Sequence, residues 1–193
     1  MPSSRPWHKK MVARSIRWTR TSAASRTFRF IAWLVTEERP MERELTFRRA
    51  DRRHAAAIAQ VGQEIIAEMG AQAAALLQPM TAEAVARRMA GYRGRGAMFL
   101  ARDGRRPVAF AALEPDASDP DTCVLGVWVL EGYRRRGIGR ELALMALEVA
   151  RRKGYRRLRG TIPEGNEAAL SFFGELGSLA QAVGGGIQYE LPL

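Results

Sequence analysis

The feature that constrains this chain most is an apolar, β-branched run that breaks into arginines and glycines and resumes at once as an amphipathic helix. It reads Val127-Trp-Val-Leu-Glu-Gly-Tyr-Arg-Arg-Arg-Gly-Ile-Gly139, followed by Arg140-Glu-Leu-Ala-Leu-Met-Ala-Leu-Glu-Val-Ala150. A strand that feeds a helix through such a loop leaves unpaired N–H groups and the positive end of the helix macrodipole at the junction. Glycines let that backbone approach an anion closely, so the arrangement suits a diphosphate. Arg134, Arg135, Arg136 and Arg140 add charge around it.

Two phosphate-binding patterns are excluded. A P-loop needs Gly-Lys followed by Ser or Thr, and the chain has no such triplet. A dinucleotide fingerprint needs a third glycine after Gly137-Ile138-Gly139, where Leu142 stands instead. Gly91-Tyr-Arg-Gly-Arg-Gly96 also has glycine spacing of this kind, but it follows a helix and precedes a strand, and reads as a connection.

Arg134-x-x-Gly137-x-Gly139 resembles the acyl-CoA loop of the GNAT superfamily of N-acetyltransferases. Asn166-Glu-Ala-Ala169-Leu-Ser-Phe-Phe173-Gly-Glu-Leu-Gly177 is similar to the next helix of that superfamily, which starts at Asn and carries an aromatic seven residues on. The resemblance spans about residues 44 to 193. It implies an α/β fold of the α+β kind, with a mixed, mostly antiparallel sheet of about seven strands flanked by helices. It implies acetyl-CoA as acyl donor, bound chiefly through backbone N–H groups from about Arg135 to Arg140. It also implies that the strand Val127-Trp128-Val129 splays from its neighbour, often at a bulge, so that its freed N–H and C=O groups meet the thioester and the pantetheine amide. A fixed N–H at the carbonyl oxygen would stabilise an oxyanion. The side chains of these residues read as core, and Trp128 either walls the pantetheine or packs. Ile138 lies inside the loop. Asn166 is an N-cap by its residue type, and the resemblance would have it touch the pantetheine arm as well.

The catalytic groups are less legible. Phe173 stands where many members of the superfamily carry a tyrosine that can protonate the leaving thiolate, and phenylalanine has no proton to donate. Thiolate is nonetheless a tolerable leaving group, with a free thiol pKa of about 8.5. Some members place a glutamate early on the central strand as base; here that position is Cys123, with Leu125, Val127 and Val129 on the same face. Glu64 and Glu68, four apart on one helix face, and Glu131 are the remaining candidates, beside a water chain to solvent. As surface charges they need have no catalytic role. His8 lies in the N-terminal arm and His54 at the start of a helix, and no His/Cys/Asp group has metal-ligand spacing, so no metal is expected.

Composition bounds the rest. The 193 residues suit one domain with a short appendage, and 47% hydrophobic residues suffice for a core. The lone Cys123 precludes an internal disulfide, which suits a reducing, cytoplasmic setting. The net charge of +11 is uneven: residues 1–40 carry nine basic and two acidic residues, leaving +4 for the remainder. This basic arm admits three readings: a transit peptide, a charged tail, or upstream sequence with Met41 as the true start. The third is preferred, because Met41-Glu-Arg-Glu-Leu-Thr-Phe leads directly into a strand and 28 Arg against three Lys suggests a GC-rich gene. The run Phe28 to Val35 is too short to span a bilayer.

Along the domain, alternation predicts a strand over Glu44–Arg49 and a helix capped by Asp51 that reaches Met69, with Ile58, Val61, Ile65 and Met69 on one face. An Ala-rich connection with a helical piece follows, then a helix capped by Thr81 that carries Val85 and Met89. A hairpin over 97–113, an acidic loop, a central strand Cys123–Leu130 and a helix from Gly139 to Lys153 come next. A strand 155–162, a helix 166–176 and a hairpin across Gly184 to Gly186 end the chain.

The expected function is transfer of an acetyl group from acetyl-CoA to a primary amine by direct attack in a ternary complex. The acceptor is a small molecule or a protein amine; a homodimer is left open, and no membrane partner is expected. An acyl-enzyme is not expected, since Cys123 has no His partner in the pattern. One alternative is an acyl-CoA-binding sensor without turnover, suggested by Phe173 and the missing base. A nucleic-acid-binding role for the arm is the weaker one, since no aromatic-rich RNA-binding motif accompanies the charge.

Overall fold

The computed structural model describes residues 44–163, 165–183 and 186–193. The expectations for residues 1–40, Met41 and the turn at Gly184 and Gly185 lie outside the described residues. The elements are β1 (Leu45–Ala50), α1 (Ala55–Met69), α2 (Ala71–Leu77), α3 (Ala82–Gly91), β2 (Ala97–Asp103), β3 (Arg106–Pro115), β4 (Thr122–Val129), α4 (Ile138–Arg152), β5 (Arg157–Pro163), α5 (Glu167–Glu175), β6 (Leu179–Val183) and β7 (Gly186–Pro192). The strands form one sheet in the order β1-β2-β3-β4-β5-β7-β6, antiparallel except for β4 beside β5. This is the mixed, mostly antiparallel seven-stranded sheet the sequence predicts.

Local chemistry accounts for most element ends. The Asp51 carboxylate accepts from the Arg53 N–H (2.9 Å), the Thr81 hydroxyl from the Ala84 N–H (3.1 Å) and the Asn166 side-chain oxygen from the Ala169 N–H (3.2 Å). Each satisfies one of the donors that a helix start leaves open. Asp51 opens a short 3₁₀ turn over Arg52–His54 that leads into α1. Gly154, at φ +76°, follows the last turn of α4, where Arg151 and Arg152 complement the dipole.

Two cores lie on opposite faces of the sheet. On one, α4 crosses β2, β3 and β4 and buries Ile138, Leu142, Ala146 and Leu147 against Phe99, Leu113, Leu125 and Leu158. On the other, α1 and α3 cover Met98, Leu100 and Phe110 with Ile58, Val61, Ile65 and Val85. Met69, expected on the apolar face of α1, is 37% exposed, at the last position of that helix. Arg88 of α3 donates twice to Glu114 at the end of β3 (2.5 and 2.7 Å), and the Tyr92 hydroxyl donates to the same carboxylate (2.7 Å), which ties α3 to the sheet.

One ladder in the sheet is short. β4 and β5 pair only over Thr122–Val124 and Arg157–Arg159. Beyond that β4 stays in unbroken register with β3 as far as Val129, while β5 stays with β7 as far as Pro163. The strands therefore part after Val124 and Arg159. No bulge interrupts β4 against β3; the register shift in this sheet lies at Ala101/Arg102 of β2. The paired end is pinned by side chains. Arg157 donates to Asp119 (2.6 Å) and to the Thr122 hydroxyl (3.1 Å), and that hydroxyl donates to Asp119 (2.6 Å). The Thr122 hydroxyl, then the Arg157 guanidinium, hold the Asp119 carboxyl below the usual carboxylate range, so the cluster persists through neutral pH and loosens only as Asp119 is protonated in acid.

Candidate active site

The open side of β4 and the start of α4 make one continuous surface. Parallel pairing engages alternate N–H and C=O groups of a strand, so along Leu125–Val129 the groups on the β5 side have no ladder partner. Gly139 sits over this stretch: a Cβ built on it would lie 3.6 and 3.7 Å from the side chains of Val129 and Val127. The first turn of α4 thus stands at the wide end of the opening.

The loop into α4 has the geometry of an anion site. Gly137 adopts φ +77° and Arg135 φ +60°, which turn successive N–H groups toward one side. The amides of Arg135, Arg136, Gly137, Ile138, Gly139 and Arg140 donate to no acceptor among the described residues; the first helical bond runs from Glu141 N–H to the Gly137 carbonyl (3.0 Å). Six free donors and a helix N-terminus in an exposed loop fit the diphosphate of a nucleotide thioester. Ile138 is 1% exposed, and its side chain anchors the loop in the core.

The arginines divide the work. Arg135, Arg136 and Arg140 are exposed. Arg136 lies over the Tyr133 ring (5.1 Å) and Arg140 over Phe172 of α5 (5.5 Å), which brings α5 alongside the loop. Arg134 is committed elsewhere. Its Nε donates to the Val129 carbonyl (3.0 Å), its guanidinium to Glu68 (3.1 Å), and its N–H to the Glu131 carbonyl (3.1 Å). Glu68 also accepts the Glu131 N–H (3.0 Å). Glu68 and Arg134 form a strut between α1 and the loop. Tyr133 braces the same loop through a hydroxyl bond to Asp103 (3.1 Å), whose other carboxylate oxygen is buried without a partner among the described residues.

The three carboxylates named as base candidates separate in the structure. Glu68 is taken up by the strut. Glu64 accepts from Gln60 (3.0 Å) and Arg106 (3.2 Å). Glu131 is exposed beyond β4, and its carboxylate takes no bond among the described residues. Cys123 is buried at the paired end of β4. Its thiol donates to the Arg157 carbonyl (3.5 Å), and burial pushes its pKa up to about 12, so it is not a thiolate at neutral pH. His54 is bonded to Asp51 (2.9 Å), at the start of α1.

Trp128 faces away from α4. Its indole stacks on Phe110 (4.8 Å between centroids, 21° between planes) and covers Gly126, where a Cβ would collide with the ring. Val127 and Val129 face α4. Asn166 caps α5, which engages its side-chain oxygen. Phe173 is 5% exposed and stacks on Tyr189 of β7 (4.0 Å, 23°). Sequence reasoning passed over Tyr189, Glu68 as a strut and Tyr133. Each depends on a partner 29 to 66 residues away.

Among the described residues no helix is long and apolar enough to cross a membrane, and no three His, Cys, Asp or Glu side chains group as metal ligands.

Comparison with known proteins gives the fold a context. The family model described as the acetyltransferase (GNAT) family matches residues 18–177. Three solved structures are similar at TM-scores of 0.62 to 0.66. PaiA N-acetyltransferase from Thermoplasma acidophilum, in complex with coenzyme A, is 16% identical, over 78% of this chain and 99% of that one, at TM-score 0.62. YncA from Salmonella typhimurium, with its cofactor acetyl-CoA, is 18% identical over 77% and 94%, at 0.62. An acetyltransferase of the GNAT family from Streptococcus pneumoniae is 17% identical over 78% and 100%, at 0.66. No curated protein sequence matches the chain.

Proposed function

The chain belongs to the acetyltransferase (GNAT) family, and on that premise we propose that it transfers the acetyl group of acetyl-CoA to a primary amine by direct attack in a ternary complex. The observation that carries this reading is the row of six unpartnered amides from Arg135 to Arg140, set at the mouth of the opening between β4 and β5. In this reading the diphosphate takes those amides, with Arg135, Arg136 and Arg140 adding charge. The pantetheine arm lies along the free edge of Leu125–Val129, near Asn166, and Phe173 packs beside the thioester. Trp128 serves through its backbone, since its ring is stacked on Phe110. Arg134 serves by holding the loop.

The steps left to this chain are binding, orientation and charge stabilisation. A free N–H on β4 meets the carbonyl oxygen as it becomes an oxyanion, where a fixed donor is worth about 10²–10³ in rate. The acceptor amine gives up its proton to water or to Glu131 before attack. Cys123 takes no part, because its thiol stays protonated.

The strut role of Glu68 has a kinetic signature. Glu68→Ala frees Arg134 and the Glu131 amide and loosens the loop. The Michaelis constant for acetyl-CoA is expected to rise severalfold, with kcat within about threefold. A collapse of kcat at unchanged KM would instead make Glu68 the base.

The whole reading is tested by a panel of amines offered with acetyl-CoA, followed by release of free thiol. At least one acceptor should raise release well above hydrolysis. Phe173 favours one rival, an acyl-CoA sensor; tight CoA binding without acceptor-dependent release across the panel would support that reading.

A further inference from the structure

Phe173 has no donor for the sulfur that leaves the thioester, but the residue stacked on it does. Tyr189 lies opposite Gly160 in the β5–β7 ladder. A Cβ on Gly160 would collide with the Tyr189 hydroxyl and ring edge, so the phenol is laid across bare backbone. Gly160 is the first residue of β5 beyond Arg159, the last to pair with β4. The hydroxyl therefore sits at the apex of the opening. The residue is 4% exposed, and no hydrogen bond to another described residue engages its hydroxyl.

We propose that the Tyr189 hydroxyl donates a hydrogen bond to the thioester sulfur as the carbon–sulfur bond breaks, a task that Phe173 cannot perform. The assignment rests on the acetyltransferase reading above. The amine lone pair forms the new nitrogen–carbon bond. The tetrahedral adduct expels sulfur, which keeps the bonding electron pair, and the amine proton leaves to water. Tyr189 holds the thiolate until sulfur takes a proton from solvent. Tyr189 keeps its own proton throughout: burial, and then the nearby Cys123 thiol, hold its pKa above the ordinary tyrosine range and well above a thiol. The other side chains of this core about the ring are apolar: Leu158 and Ile162 of β5, Ile187 and Leu191 of β7, and Phe173 of α5. A bond from a neutral donor to an anion is about twice as strong as one between neutral groups, so the stabilisation appears mainly as charge develops.

The test is the pKa of the CoA thiol bound to the full chain, read from thiolate absorbance, which needs no acceptor. The wild-type protein should lower it by about one unit from free CoA, and Tyr189→Phe should return it to the free value. CoA affinity at neutral pH should stay within about threefold, and turnover with an acceptor from the panel should fall about tenfold to a hundredfold. Gly160→Ala, which displaces the hydroxyl but keeps the phenol, should also abolish the lowering, and serves if Tyr189→Phe melts early. Equal thiol pKa values in wild type and a folded variant would overturn the assignment. Failure of the wild-type chain to bind CoA would overturn the parent reading, and this one with it.

Discussion

Gly137→Asp is expected to lower affinity for CoA by at least about a hundredfold while leaving the fold in place. Gly137 is the N-cap of α4, at φ +77°, and a Cβ built on it would meet no other residue within 4 Å beyond its chain neighbours. An aspartate tolerates this backbone region better than most residues, so the local penalty is about 1 kcal/mol. Its carboxylate would stand among the six free amides from Arg135 to Arg140. There it would take up donors meant for the ligand and face the diphosphate with like charge. Two unit charges about 4 Å apart near a protein surface repel by about 4 kcal/mol before salt screening. Titration calorimetry with CoA, beside circular dichroism of the same sample, separates binding from folding. Unchanged affinity in a folded variant would remove the loop from the binding site.

Gly126→Ala should lower the melting temperature by about 4–8 °C, equivalent to about 2 kcal/mol in a unit of this size. The new methyl would fall inside the Trp128 indole, so the ring must leave its stack on Phe110. The aromatic stack alone is worth about 0.5–1.5 kcal/mol. The strand under strain is the free edge of β4, so CoA affinity should fall too. Adding Trp128→Leu to the same chain vacates the collision and should recover much of the lost stability. If Gly126→Ala melts with the wild type, the indole does not rest on Gly126. The collision, the stack and the open edge share one strand, and stability and ligand affinity there are expected to change together.

The sequence was informative wherever the determining contact is local. Thr81 and Asn166 were legible as caps because the amides they satisfy are three residues away. The loop from Arg134 to Arg140 was legible because a strand, two glycines and a helix start must be contiguous to make it. The seven strands followed from alternation and turn residues, with ends displaced by one or two positions. Met69 was misplaced because period alone does not say how far along α1 the packing against it extends.

What the sequence by itself determined is therefore the order of elements and the strand–loop–helix junction with its free amides, both products of residues near one another in the chain. Tertiary structure alone decided which side chains gather around that junction and the opening beside it. Glu68 reads as a surface acid until α1 is packed on the sheet, 63 residues from Glu131 and 66 from Arg134, where it becomes a strut. Tyr189 reads as one aromatic in a terminal strand until the β5–β7 register sets it over Gly160 and against Phe173. The opening itself arises because β4 follows β3 and β5 follows β7 after only three paired residues. The physical reason is common to all three. Capping and helix-terminus electrostatics act over a single turn of chain, whereas register and packing are set by the whole sheet.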